Sequence, residues 1–275
     1  MNKVSTIATG LRFPEGPAFT SDGTLWCVES EGESLFYLKP TGESGRIHVG
    51  ANSRPNGICV DSLDRIWFCD SGWNAIRCFN PGVDLTAPQE AEVIIDRVDG
   101  EPLNMPNDLI MDTAGNLLFT CPGPSGEETT PTGYVCVCTP LGVVRKIAEN
   151  LFYPNGLCLL PDGHTLLIAE TNSKRIWYGY WNPNAEDLDW EHPDVWTSTG
   201  PDGFGPDGMT LGADGNLYVA VFGSGTIKVY NQQGQHLHDI QIPGENPTNI
   251  ACDPTKRLGL VATEAERGEL ISIQY

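Results

Sequence analysis

The sequence predicts an all-β fold, a six-bladed β-propeller with four antiparallel strands per blade and an N-terminal strand closing the last blade. Three observations carry this. A segment of about 17 residues recurs six times along the 275-residue chain. Each copy reads as two short apolar strands around a D-G or similar turn. No segment has the apolar period of a helix, and 31 glycines with 21 prolines favour many short strands and turns.

The copies are FPEGPAFTSDGTLWCVE from Phe13, RPNGICVDSLDRIWFCD from Arg54, MPNDLIMDTAGNLLFTC from Met105 and YPNGLCLLPDGHTLLIAE from Tyr153. GPDGMTLGADGNLYVAV follows from Gly205 and a degraded NPTNIACDPTKRLGLVATE from Asn246. Their anchoring prolines, Pro14, Pro55, Pro106, Pro154, Pro206 and Pro247, lie 41 to 52 residues apart. Further β-like runs after each copy, such as SLFYLKP and GRIHVG, bring the count to about four strands per repeat, the period of a propeller blade. The last repeat ends on GELISIQY with three clear strands, and KVSTIATGL near the N-terminus resembles the missing fourth. Its pairing there removes an open edge. Residues 1–275 thus read as one domain, with no linker or low-complexity segment.

Composition narrows the partners. Sixteen basic against 36 acidic residues give a net charge of −20. Nucleic acid and anionic membranes both demand a positive footprint, so neither is expected. MNKVSTIATGL lacks the apolar core of a signal peptide and no apolar run approaches 18 residues, which predicts a cytoplasmic protein. The nine cysteines sit mostly inside apolar runs (WCVE, GICV, WFCD, GLCLL, IACD) and read as buried free thiols of a reducing compartment. Cys136 and Cys138 share a strand face, but no second pair follows at zinc-ribbon spacing. His48, His164, His192, His236 and His238 fall in polar or turn-like contexts and read as surface residues.

The innermost strand of each blade faces the central channel, and the residue after each anchoring proline begins it. Those residues are Glu15, Asn56, Asn107, Asn155, Asp207 and Thr248. Every one bears oxygen. P-N-G and P-D-G also form turns readily, so any single copy reads first as a turn, and it is the six matched copies that point to the channel. Glu15 fits that reading worst, since glutamate has no comparable turn preference. Two carboxylates converging with neutral amides repel unless a cation lies between them. Carboxylate and amide oxygens suit a hard ion such as Ca²⁺, Mg²⁺ or Mn²⁺, and structural zinc asks for Cys or His.

With its Glu, Asn, Asn, Asp series, carried most specifically by FPEGP, MPNDL, YPNGL and GPDGM, the chain resembles the SMP-30/gluconolactonase/luciferin-regenerating-enzyme family over essentially its whole length. Diisopropylfluorophosphatase-like enzymes are related folds. The resemblance implies that Glu15, Asn107, Asn155 and Asp207 match the metal ligands, that Asp207 also matches the general base, and that the activity is hydrolysis of sugar or other lactones. One divalent cation is implied, Ca²⁺ in first place, with Zn²⁺, Mg²⁺ or Mn²⁺ as alternatives. Some sugar-lactonase members carry an arginine where this chain has Met105, so a less polar lactone is expected here. Met105, Asn107, Asn56, Cys121, Trp73 and Phe222 are the expected substrate contacts, with Asn56 read more as a spectator in a turn, and Trp73 and Phe222 read either as an apolar wall or as packing between blades. The mechanism expected is a metal-polarised carbonyl attacked by water that Asp207 deprotonates.

Each second strand returns to the face where the first began, so its end lies near the channel mouth. These ends are Glu29, Asp70, Cys121, Glu170, Val221 and Glu264. The acids among them read either as part of the site, or as a solvated loop edge or bonds to neighbouring backbone. CPGPSGEETTPTG, residues 121–133, is an insertion on the mouth face with the character of a lid. No G-x-S-x-G, H-E-x-x-H or phosphate-cradling glycine motif is present. Two rivals remain: phosphotriester or phosphorofluoridate hydrolysis at the same site, and a non-enzymatic binding platform, which the fold alone does not exclude.

Overall fold

The computed structural model describes residues 3–82, 90–124 and 130–275. Every regular element among them is a β-strand, and no helix there is long and apolar enough to cross a membrane. Six four-stranded antiparallel sheets form the ring. Blade 1 runs Pro14–Phe19, Leu25–Glu29, Ser34–Leu38 and Ser44–His48. Blade 2 is Pro55–Val60, Ile66–Asp70, Ala75–Phe79 and Glu92–Ile95. Blade 3 is Leu109–Met111, Leu117–Cys121, Gly133–Cys138 and Val144–Leu151. Blade 4 is Pro154–Leu159, Thr165–Glu170, Arg175–Asn182 and Asp187–Ser198. Blade 5 is Gly205–Leu211, Leu217–Phe222, Thr226–Tyr230 and His236–Gln241. Blade 6 is Pro247–Cys252, Leu260–Glu264 and Glu269–Gln274, with Lys3–Ala8 as its outer strand. A small hairpin, Arg97–Val98 with Glu101–Pro102, lies in the link to blade 3, where sequence patterning had shown nothing.

Local chemistry accounts for the hairpins. In blade 2, Asp61 accepts the backbone N–H groups of Leu63 and Arg65 and the Trp67 indole, so one carboxylate fixes the turn between first and second strands. Asp112 does the same in blade 3 for Ala114 and Asn116 and also takes the Trp181 indole. Asp162 and Asp253 cap the matching turns of blades 4 and 6.

Burial follows position within the blade. Second strands such as Leu25–Glu29 and Leu117–Cys121 are buried at every residue, which is why they read as near-continuous apolar runs. Outer strands such as His236–Gln241 are mostly exposed. Six apolar clusters result, one at each seam between neighbouring blades. Trp26, Leu35, Phe68 and Phe79 join blades 1 and 2, and Leu118, Ile168 and Trp181 join blades 3 and 4. Leu25, Cys27, Val261 and Leu270 join the last blade to the first. At roughly 25 cal/mol per Å² of apolar surface, these seams supply the main drive for closure. All nine cysteines are free thiols and six are buried, consistent with their apolar contexts.

Candidate functional site

The entrance to each innermost strand is where the blades differ from one another. In blade 1 the ladder pairs Pro14 with Glu29 and Glu15 with Val28, then shifts register before Ala18. Blades 2, 4 and 5 shift just after the proline, between Pro55 and Ile58, Pro154 and Leu157, and Pro206 and Met209. These bulges release the residue after the proline from regular pairing and re-aim its side chain. In blade 3 the regular strand begins only at Leu109, so Asn107 and Asp108 lie outside it.

Backbone conformation divides the six entrances further. Phe13, Met105 and Tyr153 have φ of 53°, 54° and 59°, and Gly205 has φ of 149°. Positive φ is uncommon for bulky residues and costs on the order of 1–3 kcal/mol each. These four stand two residues before Glu15, Asn107, Asn155 and Asp207. Arg54 and Asn246, at the same place before Asn56 and Thr248, have ordinary backbone. The four entrances with positive φ, three of them strained and the fourth supplied by glycine, are thus the four that carry the expected ligands. Asn56, half-buried, stands apart from them. Thr248 is fully buried, with its hydroxyl bonded to Pro14 O at 2.8 Å and to the Thr263 hydroxyl at 2.7 Å.

Three carboxylates meet at the axis. Glu15 and Asp207 were expected from the repeat; Asp108 was not. All three are buried, at 3%, 7% and 7% exposure. Burial and the charge of Asp108 push Glu15 up to about 8. Burial pushes Asp108 up to about 7. Asp207 is held well above the usual carboxylate range by burial, then by the charges of Glu15 and Asp108. Their compensation is slender. Glu15 accepts the Gly16 N–H at 2.9 Å, Asp108 accepts the Leu109 N–H at 2.8 Å, and Asn249 bonds both side chains. Asn155 serves Asp207 and also donates its amide to the Thr171 hydroxyl at 3.3 Å.

Asp108 and Asn249 were missed, although the repeat carried a signal for them. The second residue after the proline is Gly16, Gly57, Gly156 or Gly208 in four copies, and Asp108 or Asn249 in the other two. A Cβ on Gly57 would lie 2.2 Å from Asp108 Oδ1, and one on Gly208 would lie 2.0 Å from Asn249 Cγ. Glycine in one blade therefore makes room for the polar side chain of the next.

The ring of second-strand ends has a different role. Glu29, Asp70, Glu170 and Glu264 accept the backbone N–H groups of Arg12, Arg54, Phe152 and Asn246, so each braces the segment entering its own blade. Three also hold an arginine: Arg46 on Glu29, Arg77 on Asp70 and Arg175 on Glu170. This is the backbone-bonding alternative noted for these acids. In blade 3 the Tyr134 hydroxyl accepts the matching N–H, from Asn104, at 3.0 Å. Cys121 beside it is wholly buried in the core, and burial pushes its thiol up to about 12. Of the expected apolar wall, Trp73 is 43% exposed, with its ring over the Arg77 guanidinium at 4.0 Å. Phe222 packs 5.8 Å from Phe204, which is 68% exposed and was not anticipated. Met105 is half-buried, its N–H bonded to Asn74. Part of the 121–133 insertion, residues 125–129, lies outside the described residues.

A family model described as the SMP-30/Gluconolactonase/LRE-like region matches residues 13–265. The chain belongs to this family. A gluconolactonase of Zymomonas mobilis is 28% identical over 279 residues, covering 90% of this chain and 75% of its own length. Lactonase drp35 of Staphylococcus aureus is 28% identical over 239 residues, covering 84% and 70%. The solved structure of a gluconolactonase from Xanthomonas campestris superposes with a TM-score of 0.83 at 26% identity, covering 99% of this chain and 89% of that one.

Within this SMP-30/gluconolactonase-like propeller, the donor chemistry at the axis fits a hard divalent ion. The side chains offer oxygen alone, and Asn107 Oδ1 is buried with no hydrogen-bond partner among the described residues. Among those residues no three His, Cys, Asp or Glu side chains converge tightly enough to hold an ion by themselves. An ion held here would therefore draw on amide oxygens as well as carboxylates.

Proposed function

We propose that the protein is a divalent-metal-dependent lactone hydrolase whose ion is held by Glu15, Asn107, Asn155 and Asp207. The observation that carries the reading is the sparsely compensated acid pair Glu15 and Asp207 together with the orphaned Asn107 Oδ1, in a chain whose relatives include a gluconolactonase and a lactonase. When bound, the ion supplies a Lewis acid for the lactone carbonyl, with Ca²⁺ the first choice and Mg²⁺, Mn²⁺ or Zn²⁺ as alternatives. The neutral amides of Asn107 and Asn155 hold without cancelling charge. Asp207 is the base. Its burial raises its proton affinity toward what a base needs near neutral pH. It takes one proton from the attacking water as the new C–O bond forms. It returns that proton to the ring oxygen as the ester C–O bond breaks, leaving a hydroxy acid. Met105, Phe222 and the exposed Phe204 give the mouth an apolar side, which suits a lactone less polar than a sugar.

The test is to strip divalent ions with chelator, confirm that the protein stays folded, and assay γ- and δ-lactones with each ion restored, beside a phosphotriester. Ion-dependent lactone turnover is expected. Turnover of the phosphotriester alone, or none by folded ion-loaded protein, overturns the reading.

A further inference from the structure

Two threonines make the same hydrogen bond at two corresponding places. Thr171 Oγ1 donates to Pro206 O at 2.8 Å, and Thr248 Oγ1 donates to Pro14 O at 2.8 Å. Each accepting proline immediately precedes a carboxylate, Asp207 or Glu15. Each donor comes from the preceding blade, blade 4 for Thr171 and blade 6 for Thr248. The two donors reach their acceptors from unlike positions: Thr171 follows the second strand of its blade, whereas Thr248 lies on the first strand. A repeated fold element would place donor and acceptor at matching positions. Here only the acceptor matches.

Both hydroxyls are removed from water, at 8% exposure for Thr171 and 0% for Thr248. Thr171 has a second bond, accepting the Asn155 amide N–H at 3.3 Å, and the same amide serves Asp207. One hydroxyl thus touches the peptide leading to Asp207 and fixes the amide beside it. Thr248 is held in turn by the Thr263 hydroxyl at 2.7 Å.

We propose that Thr171 and Thr248 are positioning residues that set the two carboxylates of the ion site, Asp207 and Glu15, through the carbonyls of Pro206 and Pro14. This rests on the reading of the axis as a divalent-ion site. A hydroxyl that locks the peptide before a ligand lowers the entropy lost when the ligand engages, as outer hydrogen bonds do at metal centres.

The test measures Ca²⁺ and Mn²⁺ binding to chelator-stripped protein by titration calorimetry, for wild type, Thr171→Val, Thr171→Ser, Thr248→Val and Thr248→Ser. Circular dichroism first establishes that each variant is folded. Valine keeps the volume and removes the hydroxyl; serine keeps the hydroxyl. The expected result is ion affinity about 10- to 100-fold weaker in each valine variant and within about threefold of wild type in each serine variant. Valine variants that bind like wild type overturn the proposal while leaving the ion site standing. Serine variants as weak as the valine ones also overturn it, by assigning the effect to the methyl group. A wild-type protein that binds neither ion overturns the ion site itself and this proposal with it. Should Thr248→Val not fold, the Thr171 pair decides.

Discussion

Glu29, Asp70, Glu170 and Glu264 at the second-strand ends, and Glu15, Asp108 and Asp207 at the axis, are carboxylates buried to similar depth in unlike surroundings. Asp70 accepts bonds from the Ser53 hydroxyl, from the backbone of Arg54, Gly72 and Trp73, and from Arg77. Glu264 accepts three backbone N–H groups, from Asn246, Glu266 and Arg267. The axial acids have one backbone N–H apiece and neutral amides, and no arginine or lysine pairs with them among the described residues. The difference teaches what a buried charge is for. A saturated carboxylate holds a chain segment in place; an unsaturated one stores an electrostatic cost that a proton or a cation relieves.

The largest effect should come from removing an axial charge. Asp207→Asn should lower kcat/KM for lactones at least about 10³-fold with ion present, while the melting temperature of the ion-free protein stays level or rises. A marked fall in melting temperature would place Asp207 among the bracing acids. The converse variant is Asp70→Ala. It leaves the Arg77 guanidinium, 1% exposed, without its counter-charge, and should cost about 3–5 kcal/mol in urea unfolding. Ion affinity should change less than about threefold, because the segment it braces leads to Asn56 and not to a ligand.

The pH dependence sharpens the same contrast. Glu15 and Asp108 have folded-state pKa values of about 8 and about 7, above their ordinary 4.5 and 3.8. A raised acid contributes stability that is complete below its unfolded pKa and lost as pH rises through the folded value. Ion-free protein should therefore melt at progressively lower temperature between about pH 4 and pH 8, and saturating Ca²⁺ should flatten or reverse that slope. A slope of the opposite sign without ion would remove the axial acids from the account. The smallest effect concerns the mouth. Phe204→Ala should raise KM about 3- to 10-fold for lactones with an alkyl or aryl substituent and leave unsubstituted ring lactones unchanged.

The ring of blades was legible because its signal repeats: six prolines, six hairpins with polar turns, and second strands apolar on both faces. Glu15 and Asp207 were legible because they occupy one slot in that repeat. Asp108 and Asn249 sit one position further on, and their importance comes from the space that Gly57 and Gly208 leave across the seam, which a single repeat does not display. Thr248 occupied the right slot but turned its hydroxyl into the seam, since Pro14 O and Thr263 lie within reach there. The positive φ of Phe13, Met105 and Tyr153 has no compositional trace. Proline steers its predecessor toward extended backbone, so at these three residues the fold overrides the local preference.

The strand Lys3–Ala8 lies against Glu269–Gln274, and Thr6 bonds Glu269 across 263 positions of sequence. Closure of this kind is the most distant contact the chain makes, and loop-closure entropy delays such contacts in folding. The hydrogen bond from Thr248 to Pro14 then crosses from this last blade to the first. A ribosome releasing this chain one blade at a time therefore exposes Glu15 early and supplies its brace near the end. On the role proposed for Thr248, the setting of Glu15 waits for the last blade, so a prematurely ended chain would carry Glu15 and Asp207 without the bond that crosses from Thr248 to Pro14.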